Sequence, residues 1–184
     1  MVIGPDRVKM EKEKIQEVVD WSVLRSVKNV QKFLGLANYY RQFVKDFARI
    51  AKSLHEMTRK DVKWNWRERQ QRVFEELKER FTMEPVLVTL SLDKEMKVKV
   101  DVSDFAMEGV LSMKCEDKKW RLVAYISKSL NEAKRNHEIH DKEMLVIIRC
   151  LEVWRYFLEK AKGQFKIWMD HKNLEYFMKA QKLN

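Results

Sequence analysis

The chain has 184 residues, of which 45% are hydrophobic, so it is long enough for one large domain or two small ones with a buried core. Its formal net charge of +10 favours a polyanionic partner such as nucleic acid, although a solvated basic surface would explain the same excess. Two isolated cysteines exclude a disulfide scaffold, and no apolar run approaches the roughly 18 residues that span a bilayer, so we expect an intracellular protein without a membrane partner.

Apolar residues recur at helical spacing through the first 84 residues. Ser26 can cap a helix whose apolar face includes Val30, Leu34 and Ala37. Further helices are predicted from Phe47 to Met57 and from Arg67 to Phe81. We therefore assign residues 1–84 to one largely helical segment.

From Pro85 onward the apolar period changes from 3.6 to 2, which indicates strands. Strands are predicted at 96–102, 109–115, 120–127 and 165–169, with a long apolar helix from about 141 to 158 before the last one. This order predicts an α/β domain over residues 85–184, in which the strand after the helix runs parallel to an earlier strand. The helix residues expected to face the sheet are Met144, Leu145, Ile148, Leu151 and Leu158.

Three acidic residues fall at the ends of these predicted elements. Asp101 ends the first strand of the sheet, Glu143 opens the long helix, and Asp170 ends the strand that follows. Their side chains can therefore gather at one edge of the sheet. Three ionised carboxylates that lie close together need cations, and carboxylate oxygens are ligands that Mg²⁺ prefers.

Several stretches of the sequence resemble one family. VDVSD, RLVAYISKSLNEAKRNHEIHDKEMLVII and MDHKNLEYF resemble the ribonuclease H region of gypsy-type LTR retrotransposon Pol polyproteins. Upstream, VKNVQKFLGLANYYRQFVKDFARIAKSL resembles the thumb and connection segments of the same reverse transcriptases. The resemblance thus covers essentially the whole chain.

The resemblance implies a fold class and an activity. The fold would be α/β: a helical thumb and connection segment, then a ribonuclease H-like mixed sheet with flanking helices, without its last strand and helix. The ancestral activity would be Mg²⁺-dependent endonucleolytic hydrolysis of the RNA strand of RNA–DNA hybrids, and we expect it to be impaired in this chain. Asp101, Glu143 and Asp170 would be the catalytic metal ligands, and a fourth family acid would lie beyond Asn184. The polymerase carboxylates would lie upstream of Met1, so no DNA synthesis is expected.

The chain also departs from the family pattern. Ala106 and Glu108 occupy positions where the family usually has glycine, and the charge of Glu108 would disturb the metal site. Two alternatives to an active nuclease are therefore open: a non-catalytic nucleic-acid-binding remnant, or a decayed retroelement product without a role. Basic side chains of the helical segment would contact the nucleic-acid backbone or form a solvated face: Lys28, Lys32, Arg41, Lys45, Arg49 and Lys52.

Overall fold

The computed structural model describes residues 1–83, 87–162 and 165–169. In these residues a helical first half packs against a four-stranded mixed sheet, which is covered on its other face by one long helix. The predicted α/β class is confirmed. Across the described ranges, no helix combines the length and apolar character needed to cross a bilayer.

The helices of the first half surround an aromatic core. Helix α2 begins where the Ser26 hydroxyl accepts a hydrogen bond from the Asn29 backbone N–H at 3.3 Å. Its buried Phe33 packs edge-on against Phe74, with ring centroids 4.8 Å apart. The elements are α1 (Lys12–Val19), α2 (Val27–Tyr39), a 3-10 turn (Arg41–Phe43), α3 (Phe47–Ile50), α4 (Lys52–Met57) and α5 (Glu68–Thr82).

A small antiparallel sheet closes the helical half. It contains β1 (Val2–Ile3), β2 (Arg7–Lys9) and β3 (Leu87–Val88), in that order. Leu87 is buried in the core of the helical half. The chain therefore returns to the N-terminal hairpin just after the predicted boundary at residues 84 and 85, before it enters the second sheet.

The larger sheet has the strand order β6-β5-β4-β7. Antiparallel pairing joins β4 to β5 and β5 to β6, whereas β7 runs parallel to β4, as the sequence predicted. Along β4 the side chains alternate, with one set buried and the other facing outward. The strands are β4 (Met96–Val102), β5 (Ala106–Lys114), β6 (Trp120–Ser129) and β7 (Lys166–Met169).

A short helix α6 (Glu132–Arg135) leads to the long helix α7 (Ile139–Glu159), which covers the valine face of β4. The prediction that Met144 and Ile148 face the sheet is wrong, because they are 39% and 47% exposed. Apolar residues occur on more than one side of α7, so the sequence is compatible with either of two apolar stripes facing the sheet. The stripe that packs on the sheet is Glu143, Val146, Cys150, Trp154 and Leu158.

Gly109 on β5 allows α7 to approach the sheet closely. A Cβ atom at this position would lie 2.4 Å from Cys150 Sγ and 2.7 Å from Ile126 Cγ2. Real Cβ atoms do not come that close to other heavy atoms, so a side chain at position 109 would force Cys150 on α7 and Ile126 on β6 to shift. The Cys150 thiol is buried in this contact, and burial raises its pKa to about 12.

A polar cluster joins the helical half to the opposite face of the sheet. The backbone N–H of Ala48 donates to Ser127 Oγ at 2.8 Å, and Ser127 Oγ donates to the Glu108 carboxyl at 3.3 Å. The Glu108 carboxyl is also hydrogen-bonded to Asp46. Burial and the Asp46 carboxyl raise the pKa of Glu108 to about 8, whereas hydrogen bonding to Glu108 lowers the pKa of Asp46.

We expect Gly109→Ala to lower the free energy of unfolding by about 1–3 kcal/mol, because the added methyl group overpacks the contact with Cys150. Gly35→Ala is the matched control. Gly35 lies in α2 with no atom within 4 Å of an added Cβ, so the same change there should stabilise the chain by roughly 0.5–1 kcal/mol. Urea denaturation measures both values, and equal effects would contradict the close approach.

We expect the contribution of Glu108 to the stability of the chain to fall as the pH rises from about 5 to about 8. In this range folded Glu108 keeps a proton that the unfolded chain has released, because the pKa of Glu108 is raised to about 8 in the folded state. The lowered pKa of Asp46 acts elsewhere, since its stabilising effect is lost only as the pH falls below about 4.

Glu108→Gln tests this expectation, because a glutamine amide donates to Asp46 at every pH. The variant should show a flatter dependence of the urea midpoint on pH between about 5 and 8. Glu116→Gln is the control, since the Glu116 side chain is 92% exposed. A slope that Glu108→Gln leaves unchanged would exclude a shared proton at this contact.

Candidate metal centre

Glu143 lies near the start of α7 and is almost fully buried, at 1% exposure. It belongs to the helix stripe that continues through Val146 and Cys150, which face the sheet. Buried carboxylates are rare unless they have a partner or a function. Glu143, which the sequence predicted as a ligand, is therefore directed towards the sheet. It lies one turn of α7 before Val146, where the apolar part of the buried stripe begins.

Asp101 is the last residue but one of β4, and its side chain is exposed. It shares its side of the strand with Lys97 and Lys99, whereas Val98 and Val100 face α7. The residues Asp101 and Glu143 therefore lie at the same end of β4 but belong to opposite sides of that strand. The structure brings both to one edge of the sheet, and their meeting at one ion stays a prediction.

An ion pair holds the start of α7 beside this edge. Lys142 Nζ lies 3.3 Å from Asp104 Oδ1, and the Lys142 side chain is only 8% exposed. Asp104 lies two residues after the end of β4, in the turn before β5. Sequence reasoning missed this ion pair. The sequence signal that could have indicated it is Lys142, a lysine next to the predicted ligand Glu143 at the start of the long helix.

Asp170, the third predicted ligand, lies outside the described residues. The parallel pairing of β7 with β4 is described as far as the pair of Met169 with Val100. In sequence, the next residues of the two strands are Asp170 and Asp101. In sequence, the two predicted ligands thus directly follow the last described pair of two neighbouring parallel strands.

The described ranges alone contain no group of three or more histidine, cysteine, aspartate or glutamate side chains that could hold a metal ion. Asp101 and Glu143 supply hard oxygen donors, which suit Mg²⁺. The donor chemistry therefore fits the predicted ion, and a three-ligand site depends on Asp170.

Glu108 lies directly across the antiparallel pair from Asp101. The sequence suggested that its charge would disturb the metal site. The structure gives a reason for a smaller effect, because the pKa of Glu108 is raised to about 8 and its carboxyl is therefore mostly neutral at pH 7. Gly109, the next residue, makes the close approach in this part of the sheet.

The basic residues predicted to contact nucleic acid occupy the helical half. Arg49 forms an ion pair with Asp46 at 3.1 Å, and Lys52 Nζ lies 3.9 Å from the centre of the Phe105 ring. Four others have exposed side chains: Lys28, Lys32, Arg41 and Lys45. Exposure is compatible with contact to phosphates and also with a solvated face, so this assignment stays a prediction.

Comparisons with known proteins agree with the fold. Residues 66–167 match the family model described as the RNase H-like domain found in reverse transcriptase. The chain is 36% identical over 162 residues to the Transposon Tf2-3 and Tf2-4 polyproteins of Schizosaccharomyces pombe. These alignments cover 88% of this chain but 12% of each polyprotein, so the chain spans about an eighth of the length of these relatives.

Solved structures share the fold at low sequence identity. The foamy viral protease-reverse transcriptase dRH in complex with double-stranded DNA matches with a TM-score of 0.75 and 18% identity, over 91% of this chain and 29% of that one. The foamy viral enzyme in complex with an RNA/DNA hybrid also matches with a TM-score of 0.75, at 19% identity, over 94% and 23% of the two chains.

The retrotransposon resemblance that the sequence motifs indicated is thereby confirmed. The family match covers more than half of the chain and includes β4, β5, β6 and α7, which position Asp101 and Glu143. This chain belongs to the family of RNase H-like domains found in reverse transcriptases.

Proposed function

We propose that the chain is a reverse transcriptase-derived module whose function is Mg²⁺-dependent hydrolysis of the RNA strand of RNA–DNA hybrids. One observation carries the proposal: the ion pair between Lys142 and Asp104 holds the start of α7, with buried Glu143, at the end of β4 that carries Asp101. The family to which the chain belongs also supports the proposal.

The proposed ligands are Asp101, Glu143 and Asp170. Asp101 is the penultimate residue of β4, and the proposal requires its side chain to turn around the end of the sheet towards α7. Two unit charges 4 Å apart repel by about 4 kcal/mol at an effective dielectric constant of 20. Carboxylates gathered at this edge would therefore bind a cation strongly and would separate without one.

The chain's own residues have distinct tasks in this proposal. Glu143 contributes a carboxylate fixed by the packing of α7, and Lys142 fixes the turn after β4 through Asp104. Bound Mg²⁺ would polarise the scissile phosphate and lower the pKa of a water molecule. The buried apolar stripe below Glu143 excludes bulk water from the side of α7 that faces the sheet.

The proposed substrate is a nucleic acid, specifically an RNA–DNA hybrid. The foamy viral enzymes with this fold were solved with double-stranded DNA and with an RNA/DNA hybrid. A hybrid would be recognised through its shape, phosphates and 2′-hydroxyl groups. We also propose that residues 1–84, which resemble a thumb and connection, supply the basic surface, and that residues 85–184 supply the carboxylates.

The second candidate function is nucleic-acid binding without turnover. The exposed lysines and arginines of the helical half favour it, because they need no metal centre to bind phosphates. This alternative differs from the nuclease in one measurable respect: binding would be insensitive to loss of Asp101 or Glu143, and no RNA would be cleaved.

We expect Asp101→Asn and Glu143→Gln each to lower the rate of Mg²⁺-dependent hybrid cleavage by about 100-fold or more, because each removes a charge that would hold the ion. Cleavage of a labelled RNA strand annealed to DNA measures the rate. Asp117→Asn is the matched control, since Asp117 pairs with Arg121 at 2.6 Å in the exposed turn between β5 and β6.

A thermal shift provides a second readout of the same site. At a Mg²⁺ concentration about tenfold above the dissociation constant, the ion should stabilise the parent chain by about 1.4 kcal/mol and the Asp101→Asn chain by much less. Cleavage that survives both ligand substitutions would rule out this metal centre. Hybrid binding without any cleavage by the parent chain would select the non-catalytic alternative.

We expect the combined change Lys28→Gln and Lys32→Gln to reduce the salt dependence of hybrid binding. These exposed residues lie on α2, and loss of two phosphate contacts should lower the slope of log affinity against log salt by about 1.8. Fluorescence anisotropy of a labelled hybrid measures this slope. Lys12→Gln with Lys14→Gln, on α1, removes the same charge from a helix that we do not assign to nucleic acid.

A further inference from the structure

A cavity of about 570 Å³ lies between α4 and the end of β6. The residues after β6 up to α6 complete its wall, so both halves of the chain contribute to it. Of its basic side chains, the sequence analysis had assigned Lys52 alone to nucleic-acid contact. The lining side chains that matter here are Lys52, His55, Arg59, Ser129, Asn131 and Arg135.

The cavity is positively charged. Lys52, Arg59 and Arg135 are basic side chains, and Glu56 is the one carboxylate of the lining, which gives a formal net charge of +2. Among the described residues, no carboxylate forms an ion pair with any of these three cations. Burial lowers the pKa of His55, so its ring is neutral at pH 7 and adds a hydrogen-bonding group rather than a charge.

An aromatic ring holds two of the cations in place. Lys52 Nζ lies 3.9 Å from the centroid of the Phe105 ring, and the guanidinium carbon of Arg135 lies 5.5 Å from the same centroid. Arg135 Nε also donates to the Leu130 carbonyl at 3.2 Å. The two terminal nitrogens of Arg135 therefore remain available as donors in an orientation that is already fixed.

The polar groups of the wall are mainly donors. The Asn131 side-chain oxygen accepts from the Lys134 backbone N–H at 3.0 Å, which leaves its amide NH₂ to donate. The Ser129 hydroxyl adds another donor on the same wall. Fixed cations combined with neutral donors suit a tetrahedral oxyanion, and a guanidinium group suits phosphate in particular.

We propose that this cavity binds a backbone phosphate of nucleic acid. Phe105 belongs to the turn that joins β4 to β5, and its carbonyl accepts from the Leu130 backbone N–H at 2.8 Å. The cavity therefore borders the same turn that follows Asp101. A phosphate held there would fix the position of a bound strand relative to the edge of the sheet. This inference rests on the proposed function for the choice of nucleic acid as the source of the phosphate.

The combined change Arg59→Gln and Arg135→Gln tests the site. Binding of a labelled RNA–DNA hybrid is measured by anisotropy with EDTA present, between about 50 and about 200 mM salt. Loss of one phosphate contact should lower the slope of log affinity against log salt by about 0.9, so that the variant loses about threefold less affinity over this range. Arg59→Lys with Arg135→Lys keeps the charges and should retain most of the slope.

The matched control is Arg72→Gln with Arg80→Gln. These arginines are exposed on α5 and pair with glutamates of the same helix, so the control loses the same formal charge. It should keep the slope of the parent chain. Equal decreases of this slope in the cavity variant and in the control would overturn the proposal, because they would reflect net charge alone. Urea denaturation shows whether both variants remain folded.

A thermal shift with inorganic phosphate distinguishes a nucleic-acid phosphate from free phosphate as the ligand of the cavity. If phosphate raises the melting temperature of the parent chain more than chloride does at equal ionic strength, and the cavity variant loses this effect, the cavity binds phosphate groups as proposed. The same thermal result with an unchanged hybrid-binding slope would assign the cavity to free phosphate and overturn the nucleic-acid assignment.

Cleavage assays on the same preparations separate this inference from the proposed function. Mg²⁺-dependent cleavage by a parent chain whose binding slope does not depend on Arg59 and Arg135 would refute the cavity site alone. A binding slope that depends on both arginines, in a chain that cleaves nothing, would refute the nuclease function alone and support the cavity site.

Discussion

The close contact of α7 with β4 and β5 at Gly109 determines where the candidate ligands lie. Without a side chain at position 109, Cys150 and Trp154 of the helix approach the sheet directly. The helix axis is thereby fixed over the valine face of β4, and its start reaches the end of that strand. Lys142 and Asp104 add an ion pair at this point, in which the Lys142 side chain is 8% exposed and the Asp104 side chain 83% exposed. A pair with one exposed partner adds little stability by itself, so its geometry depends on the packing of α7 on the sheet.

Much of this architecture could be predicted from the sequence. Alternation from Met96 to Val102 identified β4, and the order of strands, helix and strand predicted the parallel pairing of β7. Asp101 and Glu143 were singled out because a strand that ends and a helix that begins at the same edge of a sheet can bring their side chains together. The family motifs then supplied the identity of the fold, which periodicity alone could not give.

Other features depend on three-dimensional packing that leaves no periodic signal. Met144 and Ile148 fit an apolar stripe as well as Val146 and Cys150 do, and the choice between them depends on Gly109 and Trp154. Glu108 resembled a disruptive charge until its contacts with Asp46 and Ser127 were known. The basic cavity combines residues about 80 positions apart, since Arg59 and Arg135 approach only after the two halves have docked.

The two thiols of the chain differ sharply in environment. Cys150 is buried beneath α7 with its pKa raised to about 12, whereas Cys115 lies partly exposed beside the turn between β5 and β6. Since alkylating reagents attack the thiolate, Cys115 is the natural attachment point for a fluorophore in the native protein. Modification of Cys150 then requires α7 to lift from the sheet, so the rate of Cys150 modification measures how often this opening occurs.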